Sequence, residues 1–389
     1  MRYLKIVFAV LFAAAVSGCV YEFHPDMEQI EVEDLSALVV EGDIAVGGET
    51  VVKLSFTAPL ESEVQQDNYL FMRSSVWVES NEGEVWYGEQ NPARMSEFRV
   101  DTRELDQSGT YRLCVSVPGR GEYVSEFMKC LETPQIKELA YSVPQDSTCM
   151  YVNVSGHKGM EEIGYYKWSY VETWIGRPDI MPELRYMGGD ELAYMSESEW
   201  ENIHNCYNSA ASSDILVAST EALQENVILN HRLVAIGSQD SRISKNYLIT
   251  VTQSAIDAAG FNYWENMKKN TTGTGGLFAP QPSEVRGNIV STTNADEQVI
   301  GYINVSSVST ATIVIDGGEL GLYDSSICFG STRIYTQGAW RRAYQEGMRP
   351  VAYLKNENGM DILTEARWAP ASCTTVEGCI PKPHYWPEN

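Results

Sequence analysis

Short, closely spaced strand patterns constrain the fold of this chain more than any other feature. Seven segments rich in β-branched and aromatic residues alternate with turn residues in the first third of the chain. The predicted strands are Ala37–Val46, Val51–Ala58, Ser75–Ser80, Val85–Gly88, Glu97–Thr102, Thr110–Val117 and Tyr123–Cys130. Asn81–Glu84 and Pro118–Gly121 are the clearest turns. The pattern predicts an immunoglobulin-like β-sandwich over residues 34–133, in which Asp106–Tyr111 forms the corner before one strand.

The remaining residues, 134–389, are predicted to form a larger, mostly β domain with one amphipathic helix and a cysteine-containing tail. The helix is expected near residues 255–269, because apolar residues repeat on one of its faces with helical spacing. Ser254 is its predicted N-cap, and Glu265 and Lys269 are expected to pair one turn apart on the other face. The predicted fold class is therefore mainly β.

The N-terminus has the pattern of a bacterial lipoprotein signal. Arg2 and Lys5 precede an apolar run, Ile6–Val16, that is shorter than the ~20 residues a membrane-spanning helix needs. Small residues then lead into a cysteine, as in a lipobox, so residues 1–18 are predicted to be a cleaved signal peptide. Cys19 is the predicted lipidation site, and its acyl chains would anchor the protein to a membrane.

The residues after the anchor predict its location. Val20 rather than Asp follows Cys19, so the chain lacks an inner-membrane retention signal of the enterobacterial kind. Glu22, Asp26 and Glu28 resemble the acidic export signal of Bacteroidota surface lipoproteins, within a predicted acidic tether over residues 19–33. We therefore expect a lipid-anchored outer-membrane protein that faces the cell exterior.

The charge of the chain excludes one class of partner. The formal net charge is −25, and removal of Arg2 and Lys5 with the signal peptide makes it −27. So acidic a surface disfavours nucleic acid and anionic lipid headgroups as partners. It favours solubility, cationic ligands or bridging divalent ions, and a solvated acidic shell is the simpler interpretation.

Seven cysteines lie beyond Cys19, and export places them in an oxidising compartment where disulfides form. Because the number is odd, at least one thiol stays free. Cys373 and Cys379 are the predicted disulfide, which would close a short loop and stabilise the fold by roughly 2 kcal/mol. Cys114 and Cys130 flank a turn, but a symmetric hairpin would not place them opposite each other, so we do not predict that pair.

No catalytic, metal or cofactor signature stands out from the sequence. His204 and Cys206 could offer two metal ligands, which is too few for a site. Cys373, Cys379 and His384 could offer three, but the oxidising compartment favours a disulfide. Neither a phosphate-binding glycine loop nor a nucleophile elbow is present. We therefore expect a protein that is not an enzyme and that uses no metal or cofactor.

The segment 165–174 has the most distinctive composition. Alternate side chains share one face of a strand, and here that face would carry Tyr166, Trp168, Tyr170, Glu172 and Trp174. One interpretation is an aromatic platform for a sugar or peptide, with the glutamate as its polar group. The alternative is a core face of a sheet, in which the polar tips of Tyr and Trp find partners.

A short modification motif lies at the expected junction between the two domains. Asp146-Ser147-Thr148 matches the O-glycosylation pattern described for Bacteroidota, with Ser147 as the acceptor. A three-residue pattern occurs often by chance, and an exposed junction is the context that favours it.

The segment Tyr165–Trp174 resembles the Tyr-Tyr-Arg-Trp-x-Tyr-x-Glu-Thr-Trp signature of a Bacteroidota surface lipoprotein family, catalogued as domain of unknown function 4249. Other blocks are similar to the same family: Phe261–Trp264, Gly276–Ser283, Arg286–Ile289, Gly301–Tyr302, Val305–Val308 and the tail ending Pro383–Trp386. Their order indicates a resemblance from the lipobox to the C-terminus. The tail departs from the family pattern, because it lacks Arg-Gly-Gly and has His384 in place of Asp.

The resemblance implies a surface lipoprotein that is often encoded near TonB-dependent transporters. The family has no assigned activity, so it implies no site residue. We expect a non-catalytic binding or accessory role, with a TonB-dependent transporter as the partner. The alternatives are a structural or adhesive surface protein, and a hydrolase whose site is assembled from scattered acids.

Overall fold

The structure, a computed structural model, describes residues 37–57, 71–145, 149–155, 164–223, 227–272, 286–322, 328, 330–335, 337–376 and 378–387. Strands account for 51% and helices for 14%, so the predicted mainly-β fold class is confirmed. Within the described part of the chain, no helix is long and apolar enough to cross a membrane.

The strands are numbered in chain order. The first nine are β1 Leu38–Glu41, β2 Ile44–Val46, β3 Gly48–Phe56, β4 Ser75–Ser80, β5 Val85–Asn91, β6 Arg94–Thr102, β7 Thr110–Val117, β8 Gly121–Ser125 and β9 Met128–Lys129. The next nine are β10 Glu138–Ser142, β11 Cys149–Ser155, β12 Tyr165–Gly176, β13 Leu184–Gly188, β14 Glu191–Tyr194, β15 Cys206–Ala211, β16 Leu216–Ser219, β17 His231–Gly237 and β18 Asn246–Ile256. The last are β19 Ile289–Ser291, β20 Val299–Ile300, β21 Val305–Asp316, β22 Thr332–Ile334, β23 Met348–Lys355 and β24 Asp361–Pro370.

The helices are short, with one exception. They are α1 Glu197–His204, α2 Ala258–Thr272, α3 Gly317–Leu320, α4 Trp340–Gln345 and α5 Ala371–Thr374. Single 3-10 turns cover Ser241–Ile243 and Gln337–Ala339.

The N-terminal strands form a ten-stranded sheet that nearly closes on itself. Its order is β19-β8-β7-β4-β5-β6-β3-β1-β20, with β9 beside β7. Both predicted turns are confirmed, because Gly83 N donates to Ser80 O and Arg120 N donates to Val117 O, each at 3.0 Å. The predicted corner is present as well, since the Tyr111 hydroxyl donates to Asp106 O at 2.9 Å.

The first predicted strand, Ala37–Val46, is in fact two strands in different sheets. β1 pairs with β3 and β20, whereas β2 pairs in parallel with β21. The break is at Gly42, whose φ is +149° and whose missing Cβ would lie 2.6 Å from Val51 O. Only glycine fits such a position, so the chain can leave one sheet and enter the other here.

The predicted boundary at residue 133 does not separate the two halves. β19 and β20, from residues 289–300, form the two edges of the N-terminal sheet. Ile289, Val299, Ile303 and Val305 pack in the same core as the N-terminal strands. The chain thus returns to its first sheet after building most of the second, which local patterns in the sequence do not reveal.

The second main sheet has six strands in the order β15-β12-β18-β21-β2, with β16 also beside β12. The three-stranded sheet β10-β11-β17 supplies Met150, Val152 and Ile236 to the same apolar cluster as one face of β12 and β18. β12 therefore lies inside the structure, with a strand on each side and a second sheet over one face.

The amphipathic helix begins three residues later than predicted. Ser254 belongs to β18, and Asp257 caps α2 instead, because its carboxylate accepts the Gly260 N–H at 2.6 Å. The strand pairing of Ser254 with Lys167 and Val308 extends β18 past the expected cap. The predicted pair is confirmed, with Lys269 Nζ 3.7 Å from Glu265 Oε2.

The C-terminal strands complete the fold. β22, β24 and β23 form a three-stranded sheet, and β13 pairs with β14. Leu184 from β13 packs with Trp340 and Trp368 in a separate small core.

Candidate functional site

The five residues of the predicted platform share one face of β12, but that face is covered. Tyr166, Trp168, Tyr170 and Glu172 are between 1% and 8% exposed. The Trp168 indole N–H donates to Gln253 Oε1 at 2.9 Å. An open platform is therefore wrong for these four residues, because the sheet that contains β11 and β17 packs over them. The alternative interpretation, a core face whose polar tips find partners, fits their burial.

Glu172 is the centre of a buried charged network. Arg242 Nη1 lies 2.7 and 2.9 Å from its two carboxylate oxygens, and the Tyr247 hydroxyl donates to it at 2.7 Å. Arg242 also binds Asp240 through Nε and Nη2, at 3.0 and 2.7 Å. Burial alone would lower the pKa of Arg242, but the hydrogen bonds and charges of Asp240 and Glu172 raise it. The guanidinium thus stays charged and keeps its hydrogen bonds to Asp240 and Glu172.

The same network raises the pKa of Tyr247. Burial is the largest cause, and the adjacent Glu172 carboxylate adds to it by its charge and by accepting a hydrogen bond from the phenol. The tyrosine is therefore a neutral hydrogen-bond donor. This arrangement holds β12, β18 and the 3-10 turn Ser241–Ile243 together.

Trp174, the fifth platform residue, is only half-buried and lines a cavity of about 250 Å³ at the end of the six-stranded sheet. Arg177, Asn208, Ser241 and Ser372 also line it. They come from the ends of β12 and β15, from the 3-10 turn and from α5. The cavity wall therefore holds one aromatic ring, a guanidinium, the carboxylate of Asp179 and several neutral hydrogen-bonding groups.

The C-terminal tail forms one side of this cavity. Ile380 N donates to Tyr207 O at 2.8 Å, which attaches the tail beside β15. Gly176 has no room for a Cβ, which would lie 2.6 Å from Val376 Cγ1 and 2.9 Å from Asn208 Nδ2. The tail is thus packed tightly against the end of the sheet.

Disulfides fix the tail, but not by the predicted pair. Cys379 is bonded to Cys206 and Cys373 to Cys328, so the predicted Cys373–Cys379 bond is wrong. Cys373 is buried in α5, whereas Cys379 lies beside β15, because the tail has crossed to another sheet between them. Cys114 and Cys130 are not disulfide-bonded.

Three basic side chains, Arg177, Lys245 and His204, lie together near the cavity. From the sequence, His204 was considered as a metal ligand, and the basic cluster was not predicted. After burial, the positive charges of Lys245 and Arg177 lower the pKa of His204. Its Nε2 lies 3.3 Å from Lys245 Nζ. The three residues are far apart in the sequence, and only the pairing of β12 with β15 and β18 brings these strand ends together. Spacing in the sequence therefore gave no signal for the cluster.

A larger cavity, of about 480 Å³, lies between the end of α2 and the segment that connects β19 and β20. Met267, Asn270, Arg286 and Glu297 are among its lining residues. Glu297 accepts a hydrogen bond from the Tyr123 hydroxyl at 2.7 Å. Its carboxylate thus already joins this segment to β8.

Two predicted sites lie outside the described residues, namely Cys19 and Ser147. Cys206 is in a disulfide, so it does not form a metal-ligand pair with His204. Within the part of the chain that the structure describes, no group of three His, Cys, Asp or Glu side chains is placed to hold a metal ion.

The fold and the cavity define a mostly β protein in which a small polar cavity is joined to a buried charged network. The chain belongs to the family described as domain of unknown function DUF4249, which it matches over residues 20–312. This confirms the predicted family, although the match ends before the tail, where a resemblance was also expected.

Other comparisons add little. A comparison with curated proteins found no match. Among solved structures, the chain is similar to a DUF4785 family protein from Legionella pneumophila, with 10% identity and a TM-score of 0.18. That similarity covers 56% of this chain and 52% of the other, so the chain spans about half the length of that protein.

Proposed function

We propose that this protein is a lipid-anchored outer-membrane protein that faces the cell exterior and has a non-catalytic binding or accessory role beside a TonB-dependent transporter. The observation that carries the proposal is the lipobox ending at Cys19, in a chain that belongs to the DUF4249 family. Acyl chains on one cysteine hold a protein stably at a bilayer surface. The body would then stand next to integral proteins of the same membrane.

Contacts between the two main sheets support the proposal, because they hold the sheets in one arrangement that would present a fixed surface to a partner. Asp43 lies just after the break between β1 and β2, and Lys167 Nζ on β12 is 2.8 Å from its carboxylate. Asn304 donates to the same carboxylate through its backbone N–H and its Nδ2, both at 3.0 Å. The ammonium of Lys167 also lies 4.0 Å from the ring centroid of Trp264 on α2. One carboxylate thus joins the two sheets.

The state of Glu172 supports a role other than catalysis. A general acid or base needs an oxygen that can exchange a proton with a substrate. Both oxygens of Glu172 accept hydrogen bonds from Arg242 or Tyr247. The most buried charged network of the second sheet therefore has a structural use.

Co-purification from outer membranes tests the proposal. The tagged full-length protein is extracted in mild detergent, and its partners are identified by mass spectrometry. We expect a TonB-dependent transporter in stoichiometric amount. Recovery of the protein without any transporter, under all growth conditions tested, would contradict the accessory role.

A Cys19→Ser variant is the matched control, because it removes the acylated thiol and leaves the described body unchanged. We expect it to leave the membrane fraction and to lose the transporter. Deletion of the gene distinguishes the adhesive alternative: that alternative predicts lost adhesion to host cells or matrix, whereas the accessory role predicts unchanged adhesion.

A further inference from the structure

The cavity at the end of the six-stranded sheet has a guanidinium in its wall and a second cation nearby, in a protein of net charge −25. Arg177 lines the cavity, and Lys245 lies close enough for the two charges to interact. Neither side chain forms an ion pair with any residue in the described ranges. Asp179 is the one carboxylate among the described residues that line the cavity. Two cations that have no ion pair among the described residues are unexpected on so acidic a surface.

His204 holds an unsatisfied buried donor beside Lys245. The Lys245 ammonium can only donate, so His204 Nε2 accepts and Nδ1 carries the ring proton. Nδ1 is buried and has no hydrogen-bond partner among the described residues. Trp200 stacks on the ring, with centroids 4.7 Å apart and an angle of 10°, and so fixes its orientation.

The electrostatics agree with this geometry. The pKa of Lys245 is lowered, first by burial and then by the positive charge of Arg177. The pKa of His204 is lowered by burial and next by Lys245 and Arg177. Each group thus experiences positive charge from its neighbours, and an anion would relieve that repulsion.

The neutral groups that line the cavity and the volume of the cavity restrict which anions can bind. Asn208, Ser241 and Ser372 place amide and hydroxyl groups around the cavity, and Trp174 offers an apolar surface. A volume of about 250 Å³ is smaller than the ~300–1,000 Å³ of sites for drug-sized ligands. The ligand must therefore be compact and must carry hydrogen-bonding groups in addition to its charge.

We propose that this cavity binds a compact organic anion no larger than a monosaccharide, with its phosphate, sulfate or carboxylate group held by Arg177 and attracted by the nearby charge of Lys245. A guanidinium suits such groups because its planar donors can bind two oxygens at once. Trp174 covers the carbon skeleton. This inference deepens the proposed binding role and rests on it for its biological meaning.

Isothermal titration of the purified full chain in 0.15 M NaCl tests the inference. The probes are glucose 6-phosphate, glucose 6-sulfate and glucuronate, with neutral glucose as the control ligand. We expect at least one of the three anions to bind about tenfold more tightly than glucose. Equal binding of glucose, or no binding of any anion, would overturn the proposal.

Charge variants locate the site. Arg177→Gln and Lys245→Gln should each weaken anion binding about tenfold, whereas Asp179→Asn should strengthen it because it removes the opposing charge. Arg341→Gln, at an exposed arginine of α4, should leave affinity unchanged. Unchanged binding by Arg177→Gln, with a wild-type circular dichroism spectrum, would contradict the assignment.

The two proposals fail separately. Absence of anion binding in solution would remove the ligand and leave recovery of the transporter as it was. Absence of the transporter from the outer-membrane extract would remove the accessory role, while a positive titration would still define a ligand-binding protein.

Discussion

The two main sheets each bury a glutamate, but in different surroundings. Glu97 on β6 and Glu172 on β12 both have side chains that are 7% exposed. The partner of Glu97 is Arg99, which is 52% exposed, whereas the partner of Glu172 is Arg242, which is 22% exposed. Water therefore screens the Glu97–Arg99 pair much more than the Glu172–Arg242 pair. Equal burial of one partner does not make two ion pairs equivalent.

The largest expected effect comes from the covered face of β12. Trp168→Ala should lower the free energy of unfolding by about 4 kcal/mol, because it leaves a cavity and removes the partner of Gln253. Chemical denaturation measures the change. Tyr87→Ala, at a residue 71% exposed on the first sheet, is the control and should cost below about 0.5 kcal/mol. A Trp168→Ala protein of wild-type stability would show that this face is not a core.

The two glutamates test the comparison directly. Glu172→Gln should cost about 3 kcal/mol, since it leaves Arg242 with Asp240 as its remaining carboxylate in a mostly buried site. Glu97→Gln should cost about 1 kcal/mol or less, because water can solvate Arg99. Denaturant midpoints at pH 7 measure both. Equal costs would mean that exposure of the partner does not decide the outcome.

The next largest loss of stability is expected at Gly42, where the chain passes from the first sheet to the second. Gly42→Ala should cost about 2 kcal/mol more than Gly47→Ala. Both glycines have positive φ, but an added Cβ meets Val51 O only at Gly42 and meets nothing within 4 Å at Gly47. Thermal unfolding compares the two proteins. If they melt together, the close approach at Gly42 is not a constraint.

The cap of α2 gives a smaller effect. Asp257→Ala removes the acceptor of the Gly260 N–H and of the Tyr302 hydroxyl, and should cost about 1 kcal/mol. Asp257→Asn keeps a capping oxygen and should cost less. Ser254→Ala should change helix content no more than a surface substitution does. A large loss of helix in that variant would show that Ser254, and not Asp257, caps α2.

The last expected effect is a dependence of stability on pH that belongs to the second region. His231, stacked on Trp168 with centroids 4.7 Å apart, has a lowered pKa because of burial and then the charge of Lys268. The unfolded state then binds more protons, so stability is full above a pH of about 6.5 and declines as the pH falls towards the folded pKa. The slope for one proton is at most about 1.4 kcal/mol per pH unit.

A His231→Gln variant isolates that contribution. Its stability should be less dependent on pH than that of the wild type between pH 6.5 and 5, as measured by urea denaturation. No histidine lies between residues 37 and 145, so the N-terminal strands contribute none of this dependence. If the stability of the wild type and of His231→Gln changes equally with pH, groups other than His231 cause the dependence.

Local features of the first sheet could be predicted from the sequence. The turns at Asn81–Glu84 and Pro118–Gly121 and the corner at Tyr111 involve residues that are close in the chain. Side-chain alternation also correctly placed every second residue from Tyr166 to Trp174 on one face of β12. Helix α2 was predicted three residues early, because strand pairing at Ser254 outweighed its preference for a cap.

The sequence by itself determined the mainly β class, the family, the turns and the face of each side chain on β12, because these depend on neighbours in the chain. The tertiary structure alone decided which sheet covers that face, which cysteines pair, and where Arg177, Lys245 and His204 meet. Cys206 and Cys379 are 173 residues apart, and no local preference encodes such a contact. It forms because β15 and the tail reach the same end of one sheet.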